Sequence, residues 1–418
     1  MPNWKEYKLG EIADIITGFP FKGNKYSEQG VRVLRGENVT IGDLRWDTVK
    51  CWNEKFDQID KYSLREGDIV IGMDGSRVGK NRAQIRKRDL PLLLAQRVAC
   101  VRAKKGFSQD LLAYIIKSPK FEKYVAAIHT GTSIPHISQK QIENYEVELT
   151  DDLPTQTAIA EILSSLDDKI ELNNQINKEL EALAQALFKR WFIDFEFPNE
   201  NSQPYKSSGG KMVGSELGEI PKGWRVMKLS ELITLTGGGT PKRANADYWG
   251  GNILWFSVQD VPSESQVVVI DTKEKITELG LTNSSTKILS KGTTIITARG
   301  TVGKLALVAK PMAMNQSCYG VNPKPGIGKY FNYFSLKRAV SSLQQNTHGA
   351  VFDTITSTTF ETVYVAFGER ELTQQFDNAI TDVIEQIETN VKENVDLSQL
   401  RDTLLPKLIS GELTVKEV

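Results

Sequence analysis

A heptad-patterned segment, Thr157 to Arg190, constrains this chain most, because it occurs twice. Its apolar positions fall at Ile159, Leu163, Leu166 and Ile170, then at Leu180, Leu183 and Leu187. Steps of four and three are the seam of a coiled-coil helix. The second copy, Gln374 to Lys407, repeats the seam as Phe376, Ile380, Val383, Ile387, Leu397, Leu400 and Leu404, at a constant offset of 217. Both seams are interrupted at matching places, by Asn173 and Asn177 in one and Asn390 and Asn394 in the other. A polar residue at a core heptad position costs stability and fixes register. The matched interruption therefore points to mutual pairing, with Asn173 against Asn394 and Asn177 against Asn390 in an antiparallel arrangement. The competing reading has each helix packing only on its own neighbouring domain.

The segments between the helices are duplicated too. Trp4-Lys5-Glu6-Tyr7-Lys8-Leu9 answers Trp224-Arg225-Val226-Met227-Lys228-Leu229 at an offset of 220. Gly67 to Ile71 answers Gly292 to Ile296, Gly75 to Lys80 answers Gly300 to Lys304, and Gln96 answers Gln316. A period of that length is too long for a solenoid, so one domain-plus-helix unit has been doubled. The β-branched runs Asp68 to Met73 and Thr293 to Ala298 predict strands, as do Val98 to Arg102 and Cys318 to Asn322. Helices are expected from Gln109 to Lys117, around Phe121 to Ile128, and from Tyr330 to Gln345. The expected divisions are 1–152, a first globule; 153–197, a helical spacer; 198–214, a polar linker; 215–368, a second globule; and 369–418, a second helical spacer. The fold class is α+β: two mixed α/β globules in pseudo-two-fold arrangement, separated by two long antiparallel coiled-coil helices. Trp191, Phe192, Phe195 and Phe197 read as a cap of the first helix against a globule, or as an apolar strip for a partner.

The formal charge of zero hides an uneven distribution. Residues 1–152 hold 25 Lys/Arg against 21 Asp/Glu, and 215–368 hold 16 against 11. The helical blocks are acidic, with 6 against 9 in 153–214 and 5 against 11 in 369–418. Basic globules suggest a polyanionic ligand, and acidic helices a separate surface for protein partners. Three scattered cysteines indicate neither a disulfide framework nor a zinc cluster, so a reducing cytoplasm is expected, without membrane association.

Enzyme motifs are not apparent. Gly75 to Lys80 and Gly300 to Lys304 fail the spacing of a phosphate loop, and the histidines His129, His136 and His348 are too scattered for a metal site. Between Arg77 and Lys105, however, ten basic residues face one acid, Asp89, which suits phosphate neutralisation. Arginine pairs with guanine, and Asn or Gln with adenine. The candidate DNA-contacting residues are Lys22, Lys25, Arg35, Asn38, Arg77, Lys80, Arg82, Gln96, Arg97, Ser133 and His136 in the first globule. In the second they are Lys242, Arg243, Gln259, Arg299, Thr301, Lys304, Gln316, Ser317, His348 and Thr354. The recurring Gly-Lys turns make the strongest case.

These features resemble the DNA-specificity subunit of type I restriction–modification systems over essentially the whole chain. Gly218-Glu219-Ile220-Pro221-Lys222-Gly223-Trp224 is similar to the entry of that family's recognition domains. Phe188 to Phe195 resembles the end of its central conserved region, and Leu404 to Leu413 the end of its distal one. Leu153-Pro154-Thr155-Gln156 keeps the usual helix entry only in part. The resemblance implies two target-recognition domains reading the halves of a split, non-palindromic double-stranded DNA site. It implies helices that set the spacer and dock two modification (methyltransferase) subunits, with restriction (translocase/endonuclease) subunits joining. Catalysis and its cofactors, S-adenosylmethionine, ATP and magnesium, would lie in those partners, leaving this chain non-catalytic. Two readings of other classes stand beside it: a DNA-modifying or cutting enzyme with an unrecognised site, and a coiled-coil adaptor without DNA binding. Salt-dependent DNA binding separates the adaptor from the reader.

Overall fold

Val70, Ile69 and Ile71 are fully buried, and this β-branched run builds the central strand of the first domain. The structure, a computed structural model, describes residues 4–57, 59–129, 135–262, 266–346 and 354–415. It divides into two units, Met1–Asp168 with Leu397–Val418, and Lys169–Asp396.

In the first unit a four-stranded antiparallel sheet runs in the order Ala13–Thr17, Val98–Ala103, Ile69–Gly72, Arg82–Gln84. A second sheet sets Val31–Leu34 between Cys51–Trp52 and, in parallel, Leu92–Leu94. A ribbon of Trp4–Lys8 with Glu146–Thr150 joins the two ends of the globule. Two helices, Gln109–Lys117 and Pro119–Ile128, are separated because Ser118 caps the second and Pro119 opens it. Their apolar faces close the core with Ile159 and Leu163 of the first long helix and Leu405 and Leu408 of the second.

The second unit repeats this plan. Its main sheet runs Ile233–Gly237, Cys318–Pro323, Thr294–Thr297, Leu305–Val308, with Val268–Val269 added at the edge. Trp249–Phe256 lies between Glu274–Ile276 and Ala313–Met314, and Arg225–Lys228 pairs with Tyr364–Phe367. One uninterrupted helix, Lys329–Asn346, stands where the first unit has two. Residues 198–214 are not an extended linker. Tyr205 stacks on Phe197 and Phe197 on Trp224, and Met212–Ser215 forms a hairpin with Gly218–Pro221. Aromatic stacking gives this polar stretch an apolar anchor. Trp191, Phe192 and Phe195 lie in or against the same core, with Phe376 and Trp224.

The long helices run Leu153–Phe192 and Arg370–Ile409, 40 residues each. Within the second unit Asn173 Nδ2 donates to Asn394 Oδ1 at 2.9 Å, and Asn390 Nδ2 to Asn177 Oδ1 at 2.8 Å. Rising numbers on one helix meet falling numbers on the other, so the pairing here is antiparallel. The heptad reading fails at one matched pair: Leu183 and Leu400 are 59% and 46% exposed, and Ala184 is buried instead. A straight helix drifts by about 20° per heptad against a strict seven-residue repeat. Beyond the asparagines the buried stripe follows the helical period, through Ala184, Phe188 and Trp191 on one helix and Leu405 and Leu408 on the other.

Candidate nucleic-acid interface

Four loops converge at one end of each main sheet, and backbone hydrogen bonds fix where they meet. In the first unit Gln96 N–H donates to Phe19 O at 2.9 Å and Met73 N–H to Arg97 O at 2.9 Å. Gly75 N–H donates to Pro135 O and Ile137 N–H to Met73 O, which sets His136 beside Asp74. The approach is close enough that a Cβ on Gly18 would lie 2.1 Å from Ala95 O. The second unit builds the same junction. Gly239 N–H donates to Met314 O, Ala298 N–H to Ser317 O, and Ile355 N–H to Ala298 O. A Cβ on Gly238 would lie 1.9 Å from Asn315 O.

The loops of the first junction carry Arg77, Gln96, Arg97 and His136, all exposed, with Arg97 Nη1 2.7 Å from Asp74 Oδ2 and His136 bridged to Asp74 through the backbone. The turn Gly36–Asn38 borders it, since a Cβ on Gly36 would stand 3.4 Å from Asp74 Oδ1. Arg35, at the head of that turn, lies over the Tyr26 ring and pairs with Glu37. Burial raises the Tyr26 pKa, against the pull of Arg35. The second junction gathers Arg299, Thr301, Gln316, Ser317 and Thr354, with Thr240 hydrogen-bonded to Gln316. Gln259 stands exposed in a turn after Phe256, whose carbonyl accepts from Asn315 N–H.

Other candidates are turned elsewhere. Arg82 is 7% exposed and donates to the carbonyls of Gly79, Lys117 and Ser118, closing the C-terminus of Gln109–Lys117. Burial lowers its pKa, although Glu122 opposes this. Asn38 is 2% exposed and ties Arg45 O to Arg35 N–H. Both are structural residues, because buried donors must be satisfied inside the protein. Lys25 pairs with Glu54, and Lys80 with Glu122. Arg243 lies 3.9 Å over Trp249 and pairs with Glu274, which commits its guanidinium to the fold. Lys22, Lys242 and Lys304 are exposed. The two Gly-Lys turns lean on helices: a Cβ on Gly79 would touch Val125, and one on Gly303 would touch Val340. Ser133 and His348 lie outside the described residues. The ten-cation stretch is therefore not one face, as Arg102 pairs with buried Asp68 and Lys104 donates to Gly10 O. Asp74 and Thr240 were missed, because an acid or a lone threonine in a loop carries no phosphate-binding signal.

Burial pushes the Cys318 thiol up to about 12 and Cys100 further, so neither is poised as a nucleophile. Among the described residues no three His, Cys, Asp or Glu side chains stand together as a metal site, and no helix is long and apolar enough to cross a membrane.

Residues 1–182 and 221–397 match the family described as Type I restriction modification DNA specificity domain. The chain belongs to this family. The HindI specificity subunit of Haemophilus influenzae is 25% identical over 99% of this chain and 100% of its own length. The MjaIX specificity subunit of Methanocaldococcus jannaschii is 28% identical over 78% of this chain and 74% of its own. The crystal structure of a type I restriction–modification S subunit from M. genitalium covers 97% of this chain and 96% of its own, with a TM-score of 0.54 at 16% identity, and shares the fold. Specificity subunits of type I systems are non-catalytic members of a multisubunit restriction–modification assembly, with catalysis in partner subunits.

Proposed function

We propose that this specificity subunit binds double-stranded DNA, each recognition domain reading one half of a bipartite, non-palindromic site. The observation that carries the reading is the loop junction built twice on matching backbone hydrogen bonds with largely different side chains. Arg77, Gln96, Arg97 and His136 tip one copy, and Arg299, Gln316, Ser317 and Thr354 the other. Matching hydrogen-bonded scaffolds whose tips differ at most positions, Gln96 and Gln316 being alike, suit readers of unlike sequences, since base edges are told apart by donor and acceptor pattern. The basic balance of both domains supplies the sequence-independent part of the affinity.

In this reading the long helices set the unread spacer and dock two modification subunits, which methylate adenine with S-adenosylmethionine. Restriction subunits bring ATP-driven translocation and magnesium, and the assembly works in the cytoplasm. Leu172, Leu183 and Val395 are exposed on the helical segments of the second unit and support partner binding there. Genome-wide adenine-methylation mapping with and without the gene tests the proposal. A split motif with two unlike halves, lost on deletion, is expected; a palindromic motif, or an unchanged methylome, would refute it.

A further inference from the structure

Among the described residues only Arg97, Phe195 and Ser202 adopt a positive φ without being glycine. Arg97 is the one at the loop junction. It is the third residue of the turn Ala95–Val98, closed by Val98 N–H to Ala95 O at 3.2 Å, with a φ of +70°. Such a position favours glycine or asparagine, and an arginine there carries backbone strain. The surrounding structure holds it: Arg97 O accepts from Met73 N–H at 2.9 Å. Its counterpart Ser317 receives the equivalent bond from Ala298 N–H without a positive φ. The strain is thus peculiar to the first domain and is not needed for the junction itself.

What the strain achieves is presentation. The Arg97 side chain is 68% exposed, yet its Nη1 is held 2.7 Å from Asp74 Oδ2. Asp74 is itself fixed by the backbone bridge to His136. A guanidinium tied at one corner keeps a defined direction and retains donors on its free edge. The adjacent carboxylate offsets much of the charge that a phosphate would seek, while leaving the donor geometry that a base edge requires. We propose that Arg97, raised on this left-handed turn and steered by Asp74, reads a guanine in the half-site of the first domain. Arg97 supplies paired donors to guanine O6 and N7, and Asp74 acts as a positioning residue. The inference rests on the proposed reading of DNA by this chain.

The test uses the full specificity chain assembled with its modification subunits, as wild type, Arg97→Gly, Arg97→Asn and Asp74→Asn. Melting temperatures come first. Glycine and asparagine both tolerate the turn, so the Arg97 variants are expected to melt no lower than wild type. Binding is then measured on duplexes carrying the methylation-mapped site, with 7-deazaguanine replacing each guanine in turn. Wild type should lose about tenfold or more at one guanine of one half-site. Both Arg97 variants should bind the unmodified site that much more weakly, with no further loss at that position and the other half-site read as before. Asp74→Asn should fall between. A half-site without a guanine sensitive to this replacement would overturn the proposal. So would Arg97 variants that weaken binding equally on all sequences, as a phosphate contact does, or that keep every discrimination of wild type. A wild-type assembly with no sequence preference would instead overturn the DNA-reading function beneath it.

Discussion

Gly18 and Gly238 matter for what they lack. A methyl group on either would strike a backbone carbonyl, of Ala95 or Asn315, that the sheet holds in place. Alanine at either position is expected to destabilise the protein by roughly 2 kcal/mol or more, read as a lowered melting temperature. Gly75 and Gly300, unlike these two, have a positive φ but open space around them, so alanine there should cost only about 1 kcal/mol. Equal losses at the two kinds of site would show that the carbonyl contacts are unimportant. Arg82 marks the limit of reading at this scale. Its charge is plain in the sequence, but its direction is set by three carbonyl acceptors that only the folded chain assembles. Counting cations found a basic stretch and could not separate the residues that face outward from those that close helix ends.

Pairing of the long helices was legible because its signal is periodic and repeated. The exchange of Leu183 for Ala184 in the buried stripe was not, since it depends on how far a straight helix departs from a seven-residue repeat. The asparagine pairs give a direct test of energetics. Asn173 Oδ1 and Asn177 Nδ2 are buried without a partner, so the cluster is only partly satisfied. Asn177→Leu alone leaves Asn390 Nδ2 without its acceptor and should cost about 1–3 kcal/mol. Combining it with Asn390→Leu should return stability to wild type or above, with pairing register less strictly specified. Thermal melts of the two single variants and the double one decide this, and simple additivity would contradict it. Glu388 of the second helix offers a pH-dependent test. Burial works to raise its pKa, but Lys291 at 2.8 Å and Lys392 at 2.6 Å outweigh it and hold the carboxyl below the ordinary glutamate range. A depressed carboxylate stabilises above its unfolded-state value, and that gain fades as pH falls through the folded-state value. Glu388→Gln should therefore flatten the acid side of a melting-temperature profile; unchanged acid slopes would reject the ion-pair account.

Across the whole molecule, neutrality is the misleading number, because two basic domains and two acidic helical blocks cancel. If each domain neutralises several phosphates, affinity for a cognate duplex should drop by about a thousandfold between about 50 and 200 mM salt. Anisotropy titrations of the assembled complex measure that slope, and a flat one would argue against backbone contacts by either domain. The duplication made both domains and their order legible, whereas the loop junctions were not, since residues as distant in sequence as Gly18 and Ala95, or Gly75 and Pro135, meet there only in the folded chain. The division of the chain has a consequence for its synthesis. The second unit is one continuous stretch, but the first is finished by Leu397–Val418, which is made only after the whole of the second unit. Leu405 and Leu408 fill its core, and Gly411 lies against Trp4. At about 5–20 residues per second, a ribosome makes the intervening segment in roughly 10–50 seconds. For that interval the nascent first domain holds an open apolar seam around Ile159 and Leu163, a natural client for a chaperone until Leu405 and Leu408 arrive.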